Sequence, residues 1–235
     1  PALVERVCQL AKVPKVHAVG HSMGGMVLYA YATSLPGRLT SICAIGSPVI
    51  GALPLAFREK NLLQLGAKLA TEGRPRKVPL KALAGAAGYL GPLANKILEG
   101  TLVSADNADS SIGLKVIHDA TDDIPLNLVA ELYRHFCDNS DESSAYSYEA
   151  RLDKIDVPVF VIAGVNDRVA VPDSIREGVS RLKSRDIRFR ELGKRYGDKV
   201  DYGHIDLLIG RYAPQEVYPL IADYLEEMDF ESAEK

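Results

Sequence analysis

The pentapeptide Gly20-His21-Ser22-Met23-Gly24 places a serine in a pattern that serves nucleophilic chemistry. A short apolar strand is predicted before it, at Val16 to Val19, and an apolar helical run follows from Met26 to Thr33. On such a sharp strand-to-helix turn the serine Oγ stands clear of the sheet, and the first N–H groups of the helix point toward the reacting centre. The sequence therefore predicts Ser22 as a nucleophile and the Met23 N–H as an oxyanion donor.

The other residues of this turn are expected to have structural roles. Gly20 and Gly24 are predicted to be required because side chains there would collide with the neighbouring strand and helix, and Gly25 is expected to extend that close contact. His21 is next to the serine on the same turn, so its side chain should diverge from Oγ, and we expect it to have a packing role. The alternative is a glycine-rich structural turn in which the serine has no chemical role, but the flanking strand and helix favour a nucleophile.

A nucleophilic serine needs a base. His204 follows the last predicted strand, Ile187 to Leu192, in a loop that can carry an imidazole over the C-terminal edge of the sheet, where Ser22 also emerges. His204 is therefore the predicted base. The remaining histidines are assigned to the buried core, to the turn itself and to the middle of the chain: His17, His21, and the pair His118 and His135.

The base in turn needs an orienting acid. Asp167 directly follows the apolar strand Val157 to Gly164, at the edge where active sites of open parallel sheets are built. We therefore predict Asp167 as the acid, so the three residues follow in the order Ser, Asp, His. The other aspartates precede that strand, cap a helix beginning at Ser174, or flank His204 too closely to reach its Nδ1: Asp153 and Asp156, Asp173, and Asp201 and Asp206.

The elements that must position these residues alternate between strands and helices. This alternation predicts an α/β fold with a mostly parallel sheet and helices on both faces. An amphipathic helix opens the chain, residues 39–45 form a further strand, and helices are expected at 174–182 and 214–228. Residues 51–140 are rich in leucine and contain no convincing strand, so they are interpreted as a helical cap inserted between core segments 1–50 and 141–235.

Composition excludes several classes of protein. The net charge of −3 argues against a nucleic-acid-binding protein, which usually has a clear basic excess. Three scattered cysteines indicate neither a disulfide framework nor a metal cluster. No apolar run approaches the roughly 20 residues that cross a bilayer, and no basic-then-apolar leader is present. Because the scattered cysteines indicate a reducing compartment, the expected location is cytoplasmic.

The chain resembles the α/β-hydrolase superfamily, specifically its esterase and lipase-like members. The motifs are GHSMGG at 20–25, GVNDRVAVP at 164–172 and YGHIDLLIGRYAPQEVYPLIADYL at 202–225. The last stretch is also similar to polyester synthases and acid lipases. A serine at position 22 favours hydrolysis over the chemistry of the synthases, whose nucleophile is cysteine, and over that of the haloalkane dehalogenases, whose nucleophile is aspartate.

This resemblance implies cleavage of small carboxylic esters through an acyl-enzyme intermediate. The leucine-rich helices predicted at 51–140 would form an apolar acyl pocket over Ser22, and this favours esters of short to medium acyl chain. It implies no metal and no organic cofactor. Two alternatives stay open. One is an acyltransferase or lyase that uses the same three residues. The other is a non-catalytic hydrolase-fold fragment that acts as a binding module.

The chain departs from the family at its beginning. Members of the family have four strands before the strand that leads to the nucleophile, together with a loop that supplies a second oxyanion N–H. Only one helix precedes that strand here, so an N-terminally truncated fold with half of an oxyanion hole is expected. The predicted strand near Lys15 to Gly20 then becomes an exposed sheet edge. We expect a second copy of the chain, as a homodimer, to cover this edge or the cap.

Overall fold

The main sheet has four strands, all parallel. The computed structural model describes residues 2–35, 37–49 and 149–233, with the short pieces 77–78, 103–104, 106–107, 122–125 and 127–128. The strands run in the order β1-β2-β5-β6, with β1 at Val16–His21, β2 at Leu39–Ile45, β5 at Val159–Gly164 and β6 at Ile187–Leu192. Register pairs His21 with Ile45, and Gly164 with Leu192. The carboxyl ends of the strands therefore share one edge, as parallel pairing requires.

Helices cover both faces of this sheet, and two separate cores result. The helices are α1 at Ala2–Ala11, α2 at Met23–Ser34, α3 at Pro172–Val179, α4 at Asp206–Ile209, α5 at Ala213–Glu216 and α6 at Tyr218–Ala233. Alternate residues of β2 and β5 enter opposite cores, because successive side chains on a strand point to opposite faces. Ala44 and Val161 pack with α2 and α3, whereas Ile45 and Ile162 pack with α4 to α6. The α/β fold class predicted from the sequence is confirmed.

Two predictions about the elements were wrong in detail. The closing helix is divided at Val217, because Pro219 has no N–H with which to continue the hydrogen-bond ladder from α5 into α6. Residues 51–140 were predicted to contain no strand, yet β3 at Lys77–Val78 pairs antiparallel with β4 at Ile124–Pro125. Two-residue strands are too short to show an alternating pattern. Most of the predicted cap lies outside the described residues.

Strand β1 is an edge of the sheet within the part of the chain that the structure describes. It pairs with β2 alone there, and Val19 on it is 49% exposed. The homodimer expected from the sequence stays a prediction. No helix among the described residues is both long enough and apolar enough to cross a membrane.

Candidate active site

Ser22 lies on a strained turn between β1 and α2. Its φ is 56° and its ψ −125°, a conformation that non-glycine residues rarely adopt. The Ser22 N–H donates to the Ile45 carbonyl at 2.9 Å, and its own carbonyl accepts from the Gly25 N–H at 3.1 Å. These bonds fix the turn against β2 and the first turn of the helix. Met23 is the first residue of α2, so the helix offers its N–H no intrahelical acceptor.

The glycines of this turn differ in what surrounds them. A Cβ built on Gly20 would lie 2.7 Å from both Gly24 C and Gly25 N, so the strand and helix approach too closely for any side chain. Gly24, by contrast, has no described atom within 4 Å of such a Cβ, so the crowding expected there was wrong. The close contact expected at Gly25 is present, because a Cβ there would collide with the buried Ser47 side chain. The reason is that Gly25 faces β2 across the helix-sheet contact, and Gly24 does not.

Alanine at Gly20 and alanine at Gly24 should therefore have different effects on stability. Gly20→Ala forces backbone atoms apart and is expected to lower the free energy of unfolding by about 1–3 kcal/mol, as overpacking does. Gly24→Ala adds a methyl group in open space on a helix and is expected to be neutral or to stabilise by up to about 1 kcal/mol. Urea unfolding of the two variants checks this, and equal losses would contradict it.

The structure brings the predicted serine, histidine and aspartate into one hydrogen-bonded chain. His204 Nε2 lies 2.9 Å from Ser22 Oγ, and His204 Nδ1 lies 2.8 Å from Asp167 Oδ2. Both His204 and Asp167 are buried, at 4% and 2% exposure. A carboxylate oxygen can only accept, so the Nδ1–H donates to Asp167 and Nε2 is left as the acceptor for the Ser22 hydroxyl. This arrangement can remove a proton from Ser22.

Asp167 is itself held by the turn that follows β5. Its Oδ1 accepts from the N–H groups of Val169, at 2.8 Å, and Ala170, at 2.7 Å. Each carboxylate oxygen therefore has its own partners, and the carboxylate is fixed in the orientation that faces His204. These two bonds were not predicted from the sequence, although an aspartate that bonds to N–H groups two residues further on is typical of a turn.

In the described part of the chain, Asp167 is the only aspartate hydrogen-bonded to the His204 imidazole. Asp201 accepts from the Lys194 N–H and Asp206 from the Gly203 N–H. Asp173 was predicted to cap a helix that begins at Ser174. The helix α3 begins at Pro172 instead, so Asp173 is its second residue, and its side chain is exposed. Its carboxylate lies in the first turn, where it can interact with the helix dipole.

His21 contacts the loop of the predicted base. Its Nε2–H donates to the His204 carbonyl at 3.0 Å, and the two imidazole rings lie 4.8 Å apart between centroids. Burial lowers the pKa of His21, and the nearby His204 lowers it further. His21 is therefore a neutral donor that holds the His204 backbone from the side of the nucleophile, which the packing role expected from the sequence did not include.

The remaining histidines lie elsewhere. His17 was predicted to be a buried core residue, but it is only half-buried. Its ring nitrogens lie at hydrogen-bond distance from two polar atoms, 2.8 Å from Ser41 Oγ and 2.9 Å from Asp229 Oδ1. Those bonds join β1 to β2 and to α6. His118 and His135 lie outside the described residues.

The lowered pKa of His21 should make stability depend on pH. Because the unfolded chain takes up a proton at an ordinary histidine pKa of about 6.5 and folded His21 does so only at lower pH, this residue costs stability as the pH falls below that value. His21→Gln removes this contribution, so its free energy of unfolding should fall less steeply between about pH 8 and about pH 5.5. Urea unfolding across that range measures the slope, with His17→Gln as a control for a histidine away from the site. Equal slopes for His21→Gln and the unmodified protein would contradict the assignment.

Comparison with solved structures shows the same fold at low identity. A monoacylglycerol lipase from Paleococcus ferrophilus matches with a TM-score of 0.61 and 16% identity, over 97% of this chain and 71% of its own. An esterase from Exiguobacterium antarcticum gives 0.59 and 14%, over 95% and 71%. The enol-lactonase from Burkholderia xenovorans LB400 gives 0.58 and 19%, over 95% and 73%. A search of curated protein sequences finds no match.

A family model gives the more specific result. The model described as serine aminopeptidase, S33, matches residues 1–196 of the 235-residue chain. The match includes Ser22 and Asp167, together with the strands β1 and β5 that precede them, and it stops before His204. The chain therefore belongs to the serine aminopeptidase, S33, family of the α/β-hydrolase superfamily, and it is a hydrolase.

Proposed function

We propose that this hydrolase cleaves carboxylic esters of short to medium acyl chain through an acyl-enzyme intermediate on Ser22. One observation carries the proposal: Ser22 Oγ, the His204 imidazole and the Asp167 carboxylate form a continuous hydrogen-bonded chain with distances of 2.9 and 2.8 Å. Such a chain is the arrangement that activates a serine for nucleophilic attack. No step of this chemistry needs a metal or an organic cofactor.

Each residue has a distinct role in the proposed mechanism. His204 Nε2 accepts the Ser22 proton while Oγ attacks the ester carbonyl, and Asp167 stabilises the imidazolium that forms. The Met23 N–H, at the positive end of α2, donates to the oxyanion of the tetrahedral intermediate. His204 then returns its proton to the leaving alcohol. Water, deprotonated by the same imidazole, releases the acid from Ser22.

The choice of esters is supported by the names of the structural neighbours, a monoacylglycerol lipase, an esterase and an enol-lactonase. The family description instead names an aminopeptidase, so amide cleavage is the competing reaction. The preference for short to medium acyl chains comes from the apolar helices predicted between 51 and 140, which lie largely outside the described residues.

Turnover of p-nitrophenyl butyrate tests the proposal directly. The matched amide, butyryl p-nitroanilide, presents the same acyl group, and alanine p-nitroanilide tests the aminopeptidase reaction. We expect the ester to be hydrolysed and both anilides to be poor substrates. Faster cleavage of alanine p-nitroanilide than of the ester would contradict the substrate class, and absence of turnover on all three would favour a binding module.

Covalent labelling tests the nucleophile independently of the substrate class. Diethyl p-nitrophenyl phosphate should phosphorylate Ser22, and peptide mass spectrometry locates the added group. A label on any other residue would contradict the mechanism.

Addition of glycerol during butyrate release separates hydrolysis from acyl transfer, because a transferase would form glyceryl butyrate in place of free acid.

A further inference from the structure

A buried carboxylate and amide lie directly behind the loop that carries His204. Asp206 and Asn107 are both fully buried, and Asn107 Nδ2 donates to Asp206 Oδ2 at 2.8 Å. Asn107 comes from the segment between the two main parts of the sheet, about a hundred residues before Asp206 in the chain. The pair therefore joins a distant segment to the start of α4.

Asp206 also fixes the Tyr202–Gly203 peptide group, one peptide group before the one that joins Gly203 to His204. Its Oδ1 and Oδ2 accept from the Gly203 N–H at 3.0 and 3.1 Å, and Oδ1 accepts from the Ser104 N–H at 3.2 Å. Burial raises the pKa of Asp206, and the N–H groups of Asn107, Gly203 and Ser104 oppose this by bonding to the ionised carboxylate. The carboxylate thus holds the backbone on one side of His204, whereas His21 holds the carbonyl on the other.

Asn107 extends the same network toward the C-terminal helices. Its Oδ1 accepts from the Tyr212 N–H at 3.3 Å, and its backbone carbonyl accepts from the Arg211 N–H at 2.7 Å. Its side-chain amide therefore faces a donor on one side and an acceptor on the other. Only an asparagine-like group in this orientation satisfies both when an aspartate stands at 206.

The packing around these bonds leaves little room for adjustment. A Cβ on Gly203 would lie 2.8 Å from Asp206 Oδ1 and 3.1 Å from Ser104 N. The same Cβ would lie 3.3 Å from the carbonyl carbon of Val103, whose side chain is also buried. A displacement of Ser104 or Asn107 would therefore be transmitted to the backbone of the loop 202–204 and, through it, to the imidazole.

We propose that Asp206 is a positioning residue for His204 and that Asn107 is its necessary partner, so that Ser104 and Asn107 belong to the support of the base. This inference rests on the proposed function, in which His204 removes the Ser22 proton. Asp206 does not contact the imidazole or Ser22 and acts only through the Gly203 peptide. It keeps Nε2 at hydrogen-bond distance from Ser22 Oγ.

Exchange of the two side chains provides a sharp test. In Asp206→Asn, an amide faces an amide. If the new amide oxygen keeps its bond to the Gly203 N–H, the new amide nitrogen faces Asn107. In the present orientation of Asn107, that nitrogen faces the Asn107 amide nitrogen, so two donors oppose each other. If the Asn107 amide turns over, its nitrogen faces the Tyr212 N–H instead, and two donors oppose each other there. In the double variant Asp206→Asn with Asn107→Asp, the new carboxylate accepts from both neighbours, and the new amide oxygen accepts from the Gly203 N–H. The exchange therefore restores the bond between positions 206 and 107 with the roles reversed, and it leaves an acceptor for the Gly203 N–H and one for the Tyr212 N–H.

We expect Asp206→Asn to lower kcat for p-nitrophenyl butyrate by up to about 100-fold, the cost of a small misplacement of a reacting group, with KM little changed. The exchanged double variant should recover most of that loss. Wild-type kcat in Asp206→Asn, or a double variant as slow as Asp206→Asn, would overturn the proposal. If Asp206→Asn does not fold, the double variant decides, since folding and near wild-type kcat support the proposal and a slow enzyme overturns it.

A control and a second readout separate positioning from general stability and from the proposed function. Lys194→Ala removes the exposed ion pair of Lys194 with Asp106, on the same segment, and should leave kcat unchanged. In ¹⁵N-histidine NMR spectra, the His204 Nδ1–H that donates to Asp167 should be lost or broadened in Asp206→Asn and return in the double variant. This signal needs no substrate, so it tests the positioning even if Ser22→Ala retains turnover and the proposed function fails. An unchanged signal in Asp206→Asn would overturn the proposal.

Discussion

Ser22→Ala is expected to lower kcat for p-nitrophenyl butyrate by about 10⁶-fold, the loss seen when a serine nucleophile is removed from a site of this kind. The reason is that His204 has no other hydroxyl at hydrogen-bond distance in the described site, since its Nε2 bonds to Ser22 Oγ. KM should change little because the hydroxyl contributes to the transition state far more than to substrate binding. Steady-state kinetics with active-site-independent protein quantification measures the effect.

Ser34→Ala is the matched control for this variant. Ser34 is exposed at the opposite end of α2, so its removal deletes the same hydroxyl group far from the reacting centre and should leave kcat unchanged. Ser22→Ala should also unfold at nearly the same urea concentration as the unmodified protein, because alanine keeps the same backbone at this turn. A loss below tenfold in a folded Ser22→Ala variant would contradict the role of Ser22.

The parts of the fold that could be predicted are those where burial leaves a periodic signal. Strand β2 at Leu39–Ile45 and strand β6 at Ile187–Leu192 have the predicted bounds. Where the prediction missed, local backbone chemistry decided the outcome. Gly24 and Gly25 indicated a turn but lie in the first turn of α2, and Pro219 divides the closing helix.

The candidate site could be predicted where topology determines position. Residues that follow parallel strands meet at one edge, and this rule brought Ser22 and Asp167 together across 145 residues of sequence. The bond between Asn107 and Asp206 could not be predicted, because it depends on how a long insertion packs against the core. Nor could the open space at Gly24, since the GxSxG pattern itself says nothing about which glycine meets β2.

Asp167→Asn is expected to lower kcat by about 10⁴-fold, the loss that this change causes when it inverts the histidine tautomer in a serine protease. The amide oxygen can keep the bonds to the N–H groups of Val169 and Ala170. The amide nitrogen then replaces Oδ2 and faces His204 Nδ1, which must become an acceptor. The proton moves to Nε2, where it faces Ser22 Oγ, so the imidazole cannot accept the serine proton.

Asp173→Asn makes the same chemical change six residues further along, on an exposed side chain in the first turn of α3. Its kcat should equal that of the unmodified protein, which separates the loss of one charge from the loss of the correct tautomer. The Asp167→Asn activity should also rise with pH as hydroxide replaces the missing base, whereas the unmodified enzyme should reach a plateau once its base is unprotonated. Equal kcat values for the two variants would remove Asp167 from the mechanism. A large loss in Asp167→Asn alone would show that this carboxylate acts through the orientation of His204.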